Sequence, residues 1–198
     1  QKYQAPATIF LATRYINANL LLWYDQLAWI LYNTESVPDM AILLKHSIAP
    51  ELIREVECFF LSSSSIRFNV LCFLTAKLKT FATKERERTL SRLAQACKIK
   101  RWPRDKERPM LSWEEVREMS KYGISFGSHT MSHPVLSAIP TPEARREIVE
   151  SKNIIEEQIQ KPVTTFAYPY GKKEDYTDEV TKILIDEGFE YACTTTMG

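Results

Sequence analysis

The chain of 198 residues has few cysteines, and their spacing carries no metal signature. Cys58, Cys72, Cys97 and Cys193 are widely scattered, and no two of them form a Cys-x-x-Cys pair. This spacing argues against both a zinc knuckle and a disulfide framework. We therefore expect the four cysteines to be buried free thiols.

An excess of one charge and a long apolar run are also missing. The formal net charge is +1, which creates no field that would recruit nucleic acid or an anionic membrane, so we expect no nucleic-acid partner. The most apolar stretch, residues 18–33, is interrupted by Asp25 and Gln26. It falls short of the roughly 20 apolar residues that cross a bilayer. We expect no transmembrane segment in this chain and predict an amphipathic helix there.

The last ninety residues of the chain alternate helix signals with short β-rich runs, which is typical of a parallel sheet with helical crossovers. Ser112 and Glu115 form a capping box that starts one helix, and Gly123 is placed to end it. Thr141 as N-cap and Pro142 at the first helical position start the next helix. The predicted strands are residues 7–12, 124–128, 164–168 and 191–195. The predicted class is α/β.

The region between these two β/α parts has several helical segments and no alternating β signal. Pro50 followed by Glu51 starts one of its helices, and the serines of residues 62–65 interrupt it. The predicted organisation is therefore an amino-terminal barrel part over residues 1–36, a helical insertion over 37–108 and a second barrel part over 109–198.

Three histidines occur in the chain, and two of them, His129 and His133, are four residues apart. Neutral imidazoles are good ligands for zinc, and this spacing lets two rings converge on one ion where the backbone turns between them. Taken alone, the pattern also fits two histidines that are satisfied by local hydrogen bonds. His46 stands apart in the helical region and is expected to be structural or exposed.

Position favours the metal interpretation, because His129 directly follows a predicted strand, at the end where β/α folds gather their ligands. Tyr168, Pro169, Tyr170 and Gly171 follow the next strand, so the two motifs should lie on one rim. A tight turn of this composition can aim a backbone N–H at a developing oxyanion, although an ordinary turn between strand and loop has the same composition.

These residues resemble the NodB-type polysaccharide deacetylases of carbohydrate esterase family 4. Residues 126–134 resemble the family's HxxxH metal motif, residues 166–171 its Pro-Tyr-Gly motif, and residues 6–12 the segment that follows its first motif. The resemblance covers residues 1–24 and 109–198. It implies a partial distorted β/α barrel, the NodB homology fold, with an all-helical insertion.

The resemblance also implies a function. In that family a divalent metal, for which we expect zinc, is held by two histidines and an aspartate while acetyl groups are removed from a polysaccharide. His129 and His133 would be metal ligands, and the Tyr170 backbone N–H would bind the oxyanion. Thr130, Tyr168 and Pro169 would contact the N- or O-acetylated glycan.

The sequence departs from the family pattern in several places. It has no Thr-Phe-Asp-Asp-Gly motif, which supplies the third ligand and the base, and Ala167 stands where many members have arginine. Asp25 and Asp39 are possible substitutes, although each also fits an ordinary helical position. We therefore expect a fragment that is inactive alone. The alternative is a non-catalytic glycan-binding or scaffold domain derived from this fold, and the compartment stays open.

Overall fold

The computed structural model describes residues 6–18, 20–34, 38–39, 41–42, 48–100, 102 and 110–196. The chain divides into two compact units, one of residues 1–20 with 108–198 and one of residues 21–107. The division into segments 1–36, 37–108 and 109–198 stays a prediction about domains. Within the compact units, the helix of residues 23–32 falls with the helical region.

The first unit is built on a parallel sheet. In the described residues, its four strands have the order β1-β2-β3-β4. They are β1 (Ala7–Leu11), β2 (Ile124–Ser128), β3 (Thr165–Ala167) and β4 (Tyr191–Cys193). β2 pairs with β1 over its whole length, from Ala7 opposite Ile124 to Leu11 opposite Ser128. β3 pairs with β2 and with β4, and every pair is parallel. The carboxyl ends of β1, β2 and β3 therefore share one edge.

Three helices connect or cover these strands: α5 (Trp113–Lys121), α6 (Thr141–Ile159) and α7 (Asp178–Asp186). α5 and α6 pack against β2, and α7 packs against α6. The apolar side chains of this unit form one core. Its fully or almost fully buried members include Val116, Leu136, Ala144, Ile148, Ile155, Val163 and Phe166. This core holds the strands in place, and the strands in turn position the loops at their carboxyl ends.

The second unit is helical in its described part. It contains α1 (Trp23–Tyr32), α2 (Pro50–Leu61), α3 (Ser64–Lys79) and α4 (Thr83–Ala96). α1 packs against α3 and α4, and α2 packs against α3. The guanidinium of buried Arg86 lies 4.9 Å from the ring centre of Trp23. This cation–π contact offsets part of the free energy lost when the charge is buried.

The predicted α/β class with a helical region is confirmed by the sheet and by these helices. The capping box is confirmed, since the Ser112 hydroxyl accepts from the Glu115 N–H while the Glu115 carboxylate accepts from the Ser112 N–H. Gly123 follows α5 with a positive φ of 84°. Among the described residues, no helix combines the length and apolarity that crossing a membrane requires.

Two local predictions were wrong. The N-cap of α6 is Pro140 rather than Thr141, and Pro142 is the second rather than the first helical residue, because the helix starts one residue earlier, at Thr141. Of the four cysteines, Cys97 alone is buried. Cys58 and Cys72 lie on the exposed sides of their helices, and Cys193 is exposed like every other residue of β4. His46 lies outside the described residues.

We predict that Gly127→Ala destabilises the first unit by about 1–3 kcal/mol, because overpacking a buried site displaces its neighbours. A Cβ at Gly127 would lie 2.5 Å from Phe10 Cδ1 and 2.5 Å from Thr165 Oγ1, on the two neighbouring strands. Urea unfolding measures the change. Ser125→Ala, at an exposed position of the same strand, is the matched control and should stay within about 0.5 kcal/mol of the wild type. Equal midpoints for the two variants would contradict the packing argument.

Candidate active site

His129 is the first residue after β2, and two hydrogen bonds fix it between the neighbouring strands. Its backbone N–H donates to Leu11 O (3.0 Å), at the end of β1. Its ring Nδ1 lies 2.6 Å from Ala167 O, at the end of β3. A carbonyl oxygen only accepts hydrogen bonds, so Nδ1 must carry the hydrogen, and the lone pair of the neutral ring resides on Nε2.

The surroundings of the His129 side chain favour its neutral form. Burial lowers its pKa below the ordinary value for histidine, because the imidazolium loses its hydration, and the hydrogen bond to Ala167 O opposes this only in part. A neutral imidazole is the form that binds a metal ion. A second hydrogen bond that fixes the ring and its tautomer is the usual support of a metal-binding histidine.

His133 packs its ring against that of His129. The two ring centres are 4.6 Å apart, with the planes at 76°. His133 is buried, and its backbone N–H donates to the Thr130 hydroxyl (3.0 Å), which in turn donates to His129 O. The chain therefore turns back on itself between the two histidines, and this turn brings their rings into contact.

Tyr170 brings the second motif to the same place. Its ring centre lies 4.9 Å from that of His133, at an interplanar angle of 73°. Three rings from two loops thus form a continuous edge-to-face row, an arrangement that aromatic pairs favour. The histidine pair and the Pro-Tyr-Gly turn were expected on one rim, and in the structure the two motifs are in contact.

The Pro-Tyr-Gly turn is fixed by the segment that follows β4. Tyr170 O accepts from the Thr195 hydroxyl (2.8 Å), and Gly171 O accepts from the Thr195 N–H (2.9 Å). Gly171 has a φ of 72°, and a Cβ there would lie 2.8 Å from Thr195 N. Only glycine fits this position without displacing the backbone of Thr195. The turn is held in one conformation.

The backbone at three site residues is in the left-handed region. The φ values are 66° for Thr130, 58° for His133 and 63° for Tyr170. Such a conformation costs about 1–3 kcal/mol for a residue other than glycine, and it persists only where surrounding contacts enforce it. Threonine is unfavourable there because of its branched Cβ. Strain of this kind clusters at functional sites.

The carbonyls of the loop between the histidines are bonded to the turn after β1. Thr13 N–H donates to Thr130 O (3.2 Å), and Arg14 N–H donates to Met131 O (3.0 Å). The Tyr15 hydroxyl donates to Ser132 O (3.3 Å). The 3₁₀ turn Thr13–Tyr15 therefore holds three successive carbonyls of that loop. Sequence reasoning did not identify this turn as part of the site, because no local pattern reveals it.

Glu147 on α6 is a second part of the site that was not predicted from the sequence. It is 5% exposed, and its carboxylate accepts three hydrogen bonds from Met131 and Ser132. A signal for it existed, because Glu147 lies at the inward face of the predicted helix, between Ala144 and Ile148. A charged residue at an apolar helical position has to find partners, and this one finds them in the histidine loop.

The predicted substrate-binding side chains are occupied by protein contacts. Thr130 is fully buried and bonded within the loop, and Pro169 is also buried. Tyr168 is 6% exposed, stacks on Tyr176 with ring centres 3.9 Å apart and shares a hydrogen bond with Thr181 Oγ1 (3.2 Å). Burial raises the pKa of the Tyr168 hydroxyl. Their role in substrate binding stays a prediction.

The donor set fits two of the ligands of a zinc-like ion. Two imidazoles in ring contact, with that of His129 in its neutral form, suit such an ion. In the described part of the chain, no group of three or more histidine, cysteine, aspartate or glutamate side chains could hold a metal. Asp25 and Asp39 belong to the helical unit. Burial raises the pKa of Asp25, and Asp39 Oδ1 accepts from the Ala41 N–H (3.0 Å), as a residue at a helix start does.

Residues 68–192 match the family model described as polysaccharide deacetylase. The chain belongs to the polysaccharide deacetylase family. The matched region starts in α3, so it includes part of the helical unit that the motif resemblance had left outside. It also contains the histidine loop and the Pro-Tyr-Gly turn. Members of this family are hydrolases.

Individual polysaccharide deacetylases match shorter parts of the chain. YxkH of Bacillus subtilis (strain 168), named as a polysaccharide deacetylase, is 30% identical over 88 residues, which are 44% of this chain and 30% of YxkH. The Streptococcus pyogenes deacetylase PplD, solved with acetate, is 28% identical with a TM-score of 0.42 and covers 45% of this chain and 38% of its own.

BC0361, a polysaccharide deacetylase from Bacillus cereus, is 28% identical with a TM-score of 0.41, over 57% of this chain and 37% of its own. The chain thus spans less than half the length of each of these three relatives.

We predict that His129 is neutral at pH 7 with its hydrogen on Nδ1. Long-range ¹H–¹⁵N spectra of the imidazoles measure this directly, and they are simple because the chain has three histidines. His129→Gln assigns the signals, and His133→Gln is the control that should leave the His129 tautomer unchanged. A hydrogen on Nε2, or an imidazolium, would contradict the bond to Ala167 O.

Proposed function

We propose that this chain carries part of the active site of a metal-dependent hydrolase that removes acetyl groups from a polysaccharide. Its substrate would be an N- or O-acetylated glycan. The observation that carries the proposal is the bond from His129 Nδ1 to Ala167 O, because it joins the histidine loop to the strand that leads into the Pro-Tyr-Gly turn. Family membership supports the same chemistry.

His129 and His133 would hold the metal, for which we propose zinc. The neutral ring of His129, with its lone pair on Nε2, suits this role. A bound divalent ion would polarise the acetyl carbonyl and lower the pKa of a water molecule toward neutrality. Imidazoles bind a metal ion in their neutral form, so they would leave the charge of the ion available for that purpose.

The backbone N–H of Tyr170 would stabilise the oxyanion that develops on the acetyl carbonyl. A donor that is fixed in advance costs no reorganisation during the reaction. The two bonds from Thr195 and the positive φ of Gly171 support this assignment, because they hold the turn in one conformation. Thr130, Tyr168 and Pro169 would support the wall of the substrate cleft from beneath, because their buried side chains hold the two loops that would contact the glycan.

A non-catalytic glycan-binding or scaffold domain is the second candidate. One observation favours it: the described residues supply no third ligand beside the histidine pair. Ala167 also presents no side chain that could orient a base. The strained, hydrogen-bonded conformation of both motifs favours the enzyme, because backbone strain of this kind clusters at functional sites.

We predict that the double variant His129→Ala and His133→Ala lowers the zinc content of the full-length protein to background, because both ligands are lost. Metal analysis after dialysis measures this. His46→Ala, at the third histidine, is the matched control and should retain the wild-type content. Full metal content in the double variant would make the ligand assignment wrong.

We further predict that the 198-residue chain alone, loaded with zinc or cobalt, releases no acetate from an acetylated chitooligosaccharide. The reason is that its sequence contains no Thr-Phe-Asp-Asp-Gly motif to supply the third ligand and the base. An enzymatic acetate assay with a metal-only blank provides the measurement. Acetate release that depends on His129 would show that the chain completes the site by itself.

A further inference from the structure

Glu147 is a buried carboxylate whose partners all lie between the two candidate metal ligands. Oε2 accepts from the backbone N–H groups of Met131 and Ser132, both at 2.8 Å, and Oε1 accepts from the Ser132 hydroxyl at 2.7 Å. Hydrogen bonds to a charged acceptor are roughly twice as strong as neutral ones. Among the described residues, no lysine or arginine forms an ion pair with Glu147. Its carboxylate therefore interacts with the N–H and O–H donors of the histidine loop.

The geometry of the loop makes these bonds consequential. Met131 and Ser132 are two of the three residues that separate His129 from His133, and the loop is left-handed at Thr130 and at His133. The carbonyls of residues 130–132 are bonded to the turn after β1. The amides of Met131 and Ser132 are bonded to Glu147 on α6. The peptide groups between the histidines are therefore held from both sides.

Glu147 is held in place by a helix that packs on the core. It lies in the middle of the 19-residue helix α6, next to Ile148, which is fully buried in the core. One turn further along, the Ser151 hydroxyl accepts from the Ser128 hydroxyl at 2.9 Å, at the end of β2. The helix thus contacts the residue before His129 and the residues after it. A displacement of the helix would change the spacing of the two imidazoles.

We propose that Glu147 is a positioning residue that holds the backbone between His129 and His133 so that both imidazoles face one metal ion. This inference rests on the proposed function and names a residue that the HxxxH motif does not contain. Glu147 acts through the loop: its bonds compensate the strain at Thr130 and His133. Loss of these bonds lets the loop relax and weakens the metal site.

The test is a Zn²⁺ titration of the 198-residue chain, followed through the imidazole signals of His129 and His133, with the thermal midpoint measured in parallel. Glu147→Ala removes both acceptor oxygens, and with them all three hydrogen bonds. It should raise the dissociation constant by about 10- to 100-fold, the usual effect of losing a group that supports metal ligands. Glu147→Gln keeps the shape but not the charge and should give a smaller increase.

Two controls separate positioning from stability. Glu150→Ala removes an exposed carboxylate from the same helix and should leave zinc affinity unchanged. Ile148→Val loosens the core beside Glu147 without touching the loop. It should lower the thermal midpoint while leaving the dissociation constant within about twofold of the wild type, since it removes no support of the ligands.

The proposal is supported if zinc affinity falls from the wild type to Glu147→Gln and falls further in Glu147→Ala. If the Ala variant does not fold, the comparison of the Gln variant with the wild type is sufficient. If the Gln variant binds zinc as tightly as Ile148→Val does, Glu147 is merely structural and the inference fails, while the metal ligands stand. If neither His129 nor His133 of the wild type responds to Zn²⁺, the ligand assignment fails, and the inference fails with it.

Discussion

The parallel pairing of β1, β2 and β3 is the constraint on which the candidate site depends. Parallel strands end at the same edge, so the loops that follow them are neighbours although they are far apart in sequence. The bonds of His129 to Leu11 O and to Ala167 O use the free carbonyls at that edge. The orientation of the imidazole is therefore a direct product of strand register.

The strands bring the loops together, and hydrogen bonds with backbone groups shape them. Left-handed φ values at Thr130, His133 and Tyr170 oppose folding locally. The compensating bonds come from distant elements: the turn after β1, Glu147 on α6 and Thr195 after β4. Each loop is thus stable only within the assembled unit, because none of these partners is local in sequence.

Sequence patterns predicted the parts of the site that depend on local order. The strand before His129 was predicted with its observed bounds, and the contact between the two motifs followed from the rule for strand ends. The role of Glu147 was not predictable in detail, because helical periodicity places it inward but does not name its partners. The exposure of Cys58, Cys72 and Cys193 was missed for a related reason: composition does not reveal which face of an element meets the core.

The strain at the site bears on the choice between an enzyme and a scaffold. A domain that only kept the fold would gain stability by relaxing Thr130 and His133 into ordinary conformations. Two imidazoles four residues apart can also converge from an ordinary helix. In this loop a left-handed backbone at Thr130 and His133 brings the rings together instead, so their contact depends on the strained conformation. The buried carboxylate of Glu147 is committed to that turn, at the cost of desolvating a charge. The conformation of the loop therefore favours the proposed metal binding, although the described residues supply no third ligand beside the two candidate histidines.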